Sequence, residues 1–316
     1  FRSDLAGSTT SLGISLSLKR KYIMTSKYKR IWDDLLRVKK LPKRCSGVIE
    51  ISYEKFKFLS DKFNQNTATK FISNFLDGKV LIIKKAFSEN FVREIKSKVK
   101  RFWLENPDTY YEMREDCPDF HRIITPEKAK NYAVGAVRHT TYFFPWNNDP
   151  CKFNERIYER WRYSKYIAGL NFREYENNTP KDGCVDRIQI VCYPPRYGGV
   201  EKHVDNTNNN LLAISCYFSS RKNSDFSTGG FYCLNKNRKK IDIEKYISLG
   251  DMSLYCPTIE HGVFPIDPES KKKKYDWNSG VGRWWMGLFT TDSNMKKKRT
   301  TSQSLEKYHS ERFAHK

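Results

Sequence analysis

The 316-residue chain lacks the features that mark several large classes of protein. No apolar run approaches the roughly 18 residues that a membrane-spanning helix needs, so an integral membrane protein is not expected. Histidine is scarce, with six residues, and the eight cysteines include no CxxC pair. An aromatic content of 15% excludes a wholly disordered chain. Four cysteines fall in strand-like runs, which favours buried thiols in a reducing compartment over disulfides: Cys192, Cys216, Cys233 and Cys256.

Acidic residues are also few, with 36 against 58 lysines and arginines, and the formal net charge is +22. Most of the excess lies at the two ends. Residues 1–44 carry 12 basic and three acidic side chains, a balance of +9, and residues 296–316 carry seven and two, a balance of +5. A nucleic-acid partner would therefore have to bind mainly through the ends, whereas the mild excess in the body equally fits an acidic small-molecule substrate.

The composition predicts a single domain over residues 29–295 between a basic leader, residues 1–28, and a basic tail, residues 296–316. Residues 5–23 are rich in Ser, Leu, Thr and Lys and contain no acid. This pattern is compatible with the remnant of an organelle transit peptide, or with a leader before an internal start at Met24. The expected location is the cytoplasm, or an organelle if the leader is such a remnant.

The first half of the chain carries mainly helical patterns. The buried run Lys79–Phe87 predicts a strand, and Ser88 is placed to cap a helix that follows it. Prolines recur through residues 105–150, so irregular structure is predicted there. Spaced apolar residues predict further helices over residues 30–38, 53–76 and 152–169.

Strand patterns dominate after Gly183, separated by clusters of Gly, Asn, Pro or Lys. Helices first and strands afterwards predict a mainly β protein with flanking helices. The expected core is a double-stranded β-helix (a jelly roll, cupin-like) over residues 184–292, with helices from residues 29–183 on one outer face. The strand-like runs are Arg187–Tyr193, Leu211–Phe218, Gly230–Leu234, Met252–Tyr255, Gly262–Ile266 and Gly282–Thr290.

Three potential metal ligands lie in this β-rich half. His203 and Asp205 form an H-x-D pair, and His261 follows a later strand-like run. Residues two apart on a strand point to the same face, so His203 and Asp205 can reach one ion while His261 arrives from another strand. Two imidazoles and one carboxylate on one side of a metal leave the opposite positions open. That arrangement suits non-haem Fe(II) chemistry with O₂.

Arg283 begins the last strand-like run, in the sequence VGRWWMGLF. A buried arginine needs an anion, and its planar guanidinium binds a carboxylate through two parallel hydrogen bonds. An ordinary strand-edge arginine is the alternative. Together, the H-x-D pair, the distal histidine and this arginine resemble the Fe(II)- and 2-oxoglutarate-dependent dioxygenase superfamily over roughly residues 78–292. The segment KVLIIKKAFSENFVREIKSKVKRFW resembles the start of its phytanoyl-type branch.

The resemblance implies an oxidoreductase with a ferrous ion held by His203, Asp205 and His261. The co-substrate 2-oxoglutarate would chelate the iron, and Arg283 would bind its far carboxylate in a pocket lined by Tyr193 and Trp285. Reaction with O₂ would give succinate and CO₂ while a C–H bond of the substrate is oxidised. Related halogenases lack the carboxylate ligand, so hydroxylation, desaturation or oxidative cyclisation is expected here.

One departure from the family pattern concerns the spacing of the arginine. Arg283 follows His261 by 22 residues, further downstream than the family usually places it. The extra length coincides with residues 267–280, whose polar composition predicts a long hairpin loop that a sheet tolerates at small cost. Arg283 is therefore retained as the expected co-substrate anchor.

The substrate is less clearly indicated. If residues 105–150 fold over the barrel mouth, they bring Arg122, Arg138 and His139 beside aromatic residues. A cationic pocket of this kind would suit a small, carboxylate-bearing metabolite, such as one in biosynthesis. Ordinary loop packing with solvated charges is the alternative.

Other functions are also compatible with the sequence. Lys19–Lys21, Lys271–Lys274 and Lys296–Arg299 could neutralise phosphates, and one branch of the superfamily demethylates nucleic acid. That branch resembles R-x₅-R on its last strand, and no second arginine follows Arg283 there, so nucleic acid is not the favoured partner. A protein-hydroxylating enzyme stays open, because the sequence does not disclose the pocket size. The intact ligand set argues against a non-catalytic, cupin-like binding module.

Overall fold

The computed structural model describes residues 26–270 and 275–306. Most of the basic leader, the run Lys271–Lys274 and the last ten residues of the tail lie outside the described residues, and the predictions for them stay predictions. The helices are α1 (Lys27–Val38), α2 (Tyr53–Asp61), α3 (Gln65–Leu76), α4 (Glu89–Glu105), α5 (Pro126–Ala129) and α6 (Asn154–Ile167).

The strands alternate with these helices at first and then follow one another. In chain order they are β1 (Gly47–Ser52), β2 (Lys79–Lys84), β3 (Phe120–Ile124), β4 (Ala136–Phe143), β5 (Cys184–Tyr193), β6 (Gly199–Val204), β7 (Ala213–Tyr217), β8 (Gly230–Leu234), β9 (Lys240–Asp242), β10 (Met252–Tyr255), β11 (His261–Phe264), β12 (Arg283–Asp292) and β13 (Gln303–Ser304). Short 3-10 turns occur at Pro180–Asp182, Arg221–Asn223 and Glu244–Tyr246.

The strands form one curled sheet in the order β1-β2-β10-β7-β12-β5-β4-β6-β11-β8-β9, with β3 on β4 and β13 on β6. Two antiparallel groups of four stand out: β10-β7-β12-β5, the β5 layer, and β6-β11-β8-β9, the β6 layer. From β5 to β12 the chain passes repeatedly between these layers, which is the topology of a jelly roll. The predicted fold class, a double-stranded β-helix with flanking helices, is confirmed.

The N-terminal half contributes more strands than the sequence predicted. Residues 105–150, expected to be irregular, contain β3 and β4, and β4 joins the two layers by pairing with both β5 and β6. This strand escaped the pattern because it buries polar side chains: Thr140 and Thr141 are inaccessible, and Thr141 accepts a hydrogen bond from Trp103 Nε1 at 2.7 Å. Residues 53–76 form two helices rather than one, and β1 was not predicted.

Helix α4 shows how the flanking helices attach to the sheet. Ser88 caps it as predicted, accepting a hydrogen bond from the Phe91 N–H at 3.3 Å. Its apolar stripe is buried, and Trp103 near its end stacks on Trp284 of β12 with ring centroids 5.1 Å apart. The helix thereby supports the start of β12, where Arg283 lies. The buried stripe comprises Phe91, Val92, Ile95, Val99, Phe102 and Trp103.

Two further properties of the described chain bear on the expectations from composition. Over residues 26–270 and 275–306, no helix combines the length and apolar character that crossing a membrane requires. All eight cysteines lie in this part of the chain, and all are free thiols. Seven of them are buried, with Cys184 partly accessible.

Candidate metal centre and its cavity

The structure brings the three predicted metal ligands together. His203 lies near the end of β6, Asp205 follows that strand directly, and His261 begins β11. The two strands are antiparallel, and the two histidines are direct partners in the register. His261 Nε2 lies 3.5 Å from Asp205 Oδ2, and His203 Nε2 lies 3.8 Å from Asp205 Oδ1. One ligand atom from each residue falls within 4.8 Å of the other two.

Backbone carbonyls hold both imidazoles in the orientation that a metal requires. His203 Nδ1 lies 2.8 Å from the Glu201 carbonyl oxygen, and His261 Nδ1 lies 2.8 Å from that of Ile259. A carbonyl oxygen only accepts, so each Nδ1 carries the proton and donates it. The Nε2 lone pairs are then free to bind a metal, and the rings are fixed in that tautomer.

The electrostatics of the centre also favour metal binding. Burial, reinforced by His203, lowers the pKa of His261 to about 4, so its imidazole is neutral at physiological pH. Burial would raise the pKa of Asp205, but His261 and His203 outweigh it and hold that pKa below its ordinary value. Two imidazole Nε2 atoms and one carboxylate therefore face the same point. This donor set fits a divalent transition metal such as Fe(II), with the remaining coordination positions open.

The three ligands line a cavity of about 850 Å³ between the two layers. Alternate residues of the strands face it, as the period of two in a strand requires. From β5 these are Arg187, Gln189 and Tyr193, and β12 contributes Arg283, Trp285 and Phe289.

The cavity wall is strongly cationic. Among the described residues that line it, six carry a permanent positive charge, whereas Asp205 is the sole acid. Because Asp205 is also a candidate metal ligand, the rest of the wall holds no negative charge of its own. The six cations are Arg122, Lys128, Arg138, Arg187, Arg283 and Arg299.

Arg283 is buried at the first position of β12, directly opposite Tyr193 of β5. Its Nε donates to Glu244 Oε2 at 3.0 Å, and its Nη2 forms an ion pair with the same oxygen at 2.9 Å. The Phe231 N–H donates to the same oxygen at 2.7 Å. Among the described residues, Arg283 Nη1 has no hydrogen-bond partner although it is buried. One edge of the guanidinium is thus occupied within the chain, and Nη1 is left for a ligand.

Three other arginines lie on neighbouring strands without an acidic partner. Arg122 of β3, Arg138 of β4 and Arg187 of β5 form no ion pair within the described part of the chain. The buried Nε atoms of Arg138 and Arg187 also lack hydrogen-bond partners there. Arg187 lies between the rings of Tyr142 and Phe289, 5.1 Å from each centroid. We call these three residues the arginine trio.

Tyr142 reports the field of the arginine trio. Burial would raise the pKa of its phenol, but Arg138 and Arg187, with a smaller contribution from Arg122, outweigh burial and lower that pKa below 10. For Arg187, burial disfavours the charged form and lowers the pKa to about 10, so the side chain is still charged at neutral pH.

Of the other site residues predicted from the sequence, four line the cavity and one lies outside it. Tyr193, Trp285, Arg122 and Arg138 line the cavity, but His139 does not. Neighbouring residues of a strand face opposite sides, so when Arg138 faces the cavity His139 is directed into the core. There it stacks on Trp103 with centroids 3.7 Å apart, bonds to the Trp277 carbonyl and His121, and has its pKa lowered to about 4 by burial.

Two residues of the site were missed by sequence reasoning. Arg187 could have been found, because it alternates with the apolar Ile188 and Ile190 and shares a face with Gln189. Glu244 gave no such signal. It lies in a 3-10 turn, and only the folded chain shows that it meets Arg283, 39 residues away in sequence.

No protein-family model and no curated protein sequence matches the chain. Solved structures similar to it include a prolyl hydroxylase from Trichoplax adhaerens in complex with a hypoxia inducible factor peptide, at 16% identity and a TM-score of 0.46, covering 76% of this chain and 91% of that one. Another is a full-length Neurospora crassa protein in complex with alpha-KG, at 12% identity and a TM-score of 0.44, covering 87% and 100%. A third is a Pseudomonas putida prolyl-4-hydroxylase, at 11% and 0.43, covering 71% and 97%.

The chain's own strand order and the placement of its three candidate ligands agree with the expectation from sequence. A jelly roll with a His-Asp-His set facing the cavity between its layers is the architecture that the resemblance to the Fe(II)- and 2-oxoglutarate-dependent dioxygenase superfamily implies. The fold that the resemblance implies is confirmed, and the three residues that it assigns to the iron lie together, while their role as metal ligands stays a prediction.

Proposed function

We propose that the protein is an Fe(II)- and 2-oxoglutarate-dependent oxygenase that oxidises a C–H bond of a small, carboxylate-bearing metabolite and releases succinate and CO₂. The observation that carries this proposal is the opening of the His203–Asp205–His261 centre into a cavity whose other charges are all positive. Hydroxylation, desaturation and oxidative cyclisation all start from the same C–H oxidation, and each stays compatible with this site.

The metal would be held by His203 Nε2, His261 Nε2 and a carboxylate oxygen of Asp205. Bound Fe(II) with 2-oxoglutarate supplies the activation of O₂. The Glu201 and Ile259 carbonyls accept the Nδ1 protons and so orient both imidazoles. These contacts act before any substrate arrives, so the centre is pre-organised for the metal.

Arg283 is the residue we assign to the far carboxylate of 2-oxoglutarate. Its unpartnered Nη1 supports this role, because a buried N–H without an acceptor is costly and a carboxylate would satisfy it. Glu244 holds the opposite edge of the guanidinium and so fixes the direction of Nη1. Tyr193 and Trp285 belong to the same wall and are assigned to packing around the co-substrate.

The arginine trio is assigned to the substrate. Three arginines without acidic partners face one cavity, and a buried cation is stable only when an anion or solvent compensates it. The carboxylate of a bound metabolite would supply that charge. Arg187 is the best placed of the three, because it is close enough to Asp205 to help lower the pKa of that carboxyl. An anion bound there would present its neighbouring carbons to the metal centre.

The proposal is tested by metal analysis combined with succinate release from 2-oxoglutarate. We expect the purified chain to bind Fe(II), and to release succinate faster with a carboxylate metabolite than with its neutral amide. His203→Ala and Asp205→Ala should each abolish stimulated turnover and lower the iron content. Asp61→Ala, which removes an exposed carboxylate from α2, is the matched control and should behave as the wild type.

Three results would count against parts of the proposal. Near-full oxidation with normal iron in His203→Ala would refute the ligand assignment. Iron binding without turnover of any compound would favour a non-catalytic binding module. Stimulation by peptides or nucleobases but not by small carboxylates would move the substrate to the protein- or nucleic-acid-modifying alternatives. Arg283→Ala should raise the 2-oxoglutarate concentration needed for half-maximal turnover, and an unchanged requirement would place the anchor elsewhere.

A further inference from the structure

The chain beyond β12 returns to the metal centre. Residues 293–306, which we call the strap, follow β12 and form part of the cavity wall through Asn294, Arg299, Thr301 and Ser302. Near its end, β13 pairs with β6 at His203 and Val204, and the Leu305 N–H donates to the Lys202 carbonyl at 2.9 Å. The strap is therefore built onto the strand that carries His203.

A buried carboxylate fixes the start of the strap. Asp292 accepts hydrogen bonds from the Thr300 N–H at 3.0 Å and the Thr300 hydroxyl at 2.9 Å. Lys296 and Asn209 donate to its other oxygen at 2.7 and 2.8 Å. Burial would raise the pKa of Asp292, but these bonds outweigh it and hold that pKa at about 2. The carboxylate is thus ionised at neutral pH, and the strap has a defined path.

The strap places one hydroxyl on a metal ligand. Ser302 Oγ donates to Asp205 Oδ1 at 2.5 Å, and within the described residues it is the one side chain that donates to this carboxylate. With Oδ1 engaged, Oδ2 is the oxygen left for the metal, and it lies 3.5 Å from His261 Nε2. We propose that Ser302 is a positioning residue that fixes the rotamer of Asp205 and presents Oδ2 to the metal.

The physical reason is the freedom of an unsupported aspartate. The histidines are oriented by their Nδ1 bonds, but Asp205 follows the end of β6, and its backbone N–H bond to the Pro257 carbonyl at 3.0 Å does not restrain the carboxylate itself. Without Ser302 the carboxylate would populate several orientations, and binding a metal would have to select one of them. Loss of such a supporting hydrogen bond typically weakens metal affinity 10- to 100-fold.

The test measures metal affinity and does not need a substrate. The full-length metal-free protein is titrated with Co(II), and binding is followed by calorimetry and by the visible absorption of the ion, whose spectrum reports its coordination. Ser302→Ala should weaken Co(II) binding about 10- to 100-fold and change this spectrum. Ser302→Thr, which keeps the hydroxyl, should restore most of the affinity.

Two control variants separate positioning from folding of the strap. Ser304→Ala removes a hydroxyl whose oxygen accepts the Glu306 N–H, and it should bind Co(II) as the wild type does. Thr300→Ala loosens the strap at Asp292 without touching Asp205, and it should cost less metal affinity than Ser302→Ala at a comparable melting temperature. Equal losses in Thr300→Ala and Ser302→Ala would show that docking of the strap, and not the Ser302 hydroxyl, is what matters, which overturns the inference.

The inference rests on the proposed metal site, and the two can fail separately. If the wild type binds no divalent metal, both are wrong. If the wild type binds Co(II) and Ser302→Ala binds it equally well with the same spectrum, this inference alone is wrong. Absence of turnover with every substrate tested would count against the proposed enzyme activity and leave the Co(II) result unaffected.

Discussion

Arg283 and the arginine trio face the same cavity, but they differ in whether an acidic residue of the chain balances their charge. Arg283 is buried and has its own counter-charge, because Glu244 accepts a hydrogen bond from its Nε and forms an ion pair with its Nη2. The arginine trio of Arg122, Arg138 and Arg187 has no acidic partner in the described chain. The first group is neutralised by the fold, and the second keeps its charge until something binds.

The difference indicates what each group is built to recognise. Glu244 raises the pKa of Arg283 despite burial, so the charge of this guanidinium is balanced within the chain. The pair can then orient a ligand through the unpartnered Nη1. The trio instead generates a field, visible in the lowered pKa of Tyr142. A constant partner such as a co-substrate suits the first arrangement. Under the proposed function, the second arrangement would attract the anionic substrate.

The largest expected effect is the loss of stability when the ion pair between Glu244 and Arg283 is broken. Glu244→Ala leaves the Arg283 guanidinium buried without a counter-charge, and breaking a buried pair in this way costs about 3–5 kcal/mol. We expect the free energy of unfolding, measured by chemical denaturation, to fall by that order. The double variant Glu244→Gln with Arg283→Met should recover much of the loss, since no charge is then buried. A Glu244→Ala protein as stable as the wild type would mean that solvent in the cavity compensates Arg283.

The three candidate ligands and most strands of the β-rich half could be predicted because they depend on local patterns. An H-x-D pair at a strand end, a later histidine and an arginine at the start of the last strand are visible in one dimension, and so is the alternation of β5. Strand β4 could not be predicted, because its buried threonines satisfy their hydroxyls in contacts that exist only after folding. Glu244 and Ser302 could not be assigned for the same reason.

The second effect is on substrate binding. Unlike the loss of Glu244, the substitution involved should not lower the stability of the fold. Arg187→Gln removes a cation that forms no ion pair within the described chain and whose burial lowers its pKa, so we expect the free energy of unfolding to stay the same or rise. A hydrogen bond to a charged group is worth about 1.5–3 kcal/mol, so the KM for the anionic substrate should rise roughly 10- to 150-fold. The requirement for 2-oxoglutarate should not change. Steady-state kinetics with each compound varied in turn separates the two.

Arg299→Gln is the matched control for this experiment. Arg299 lines the same cavity but is exposed and bonded to the Asp292 carbonyl, so its loss should change the substrate KM much less. If Arg187→Gln raised the 2-oxoglutarate requirement instead, the trio would be part of the co-substrate site, and the division between the two arginine groups would be wrong.

The smallest effect is a shift in one phenol, and it measures the field of the trio directly. The pKa of Tyr142 lies below 10 in the folded protein and returns to about 10 on unfolding. Between those two values the folded state binds fewer protons, so this group makes stability rise with pH across that window. Arg138→Gln should raise the pKa of Tyr142, as followed by phenolate absorbance with Tyr142→Phe used to assign the signal, and should flatten that rise. An unchanged titration would show that Arg138 does not act on the same region as Arg187, and that the cavity holds separate cations and no shared anion site.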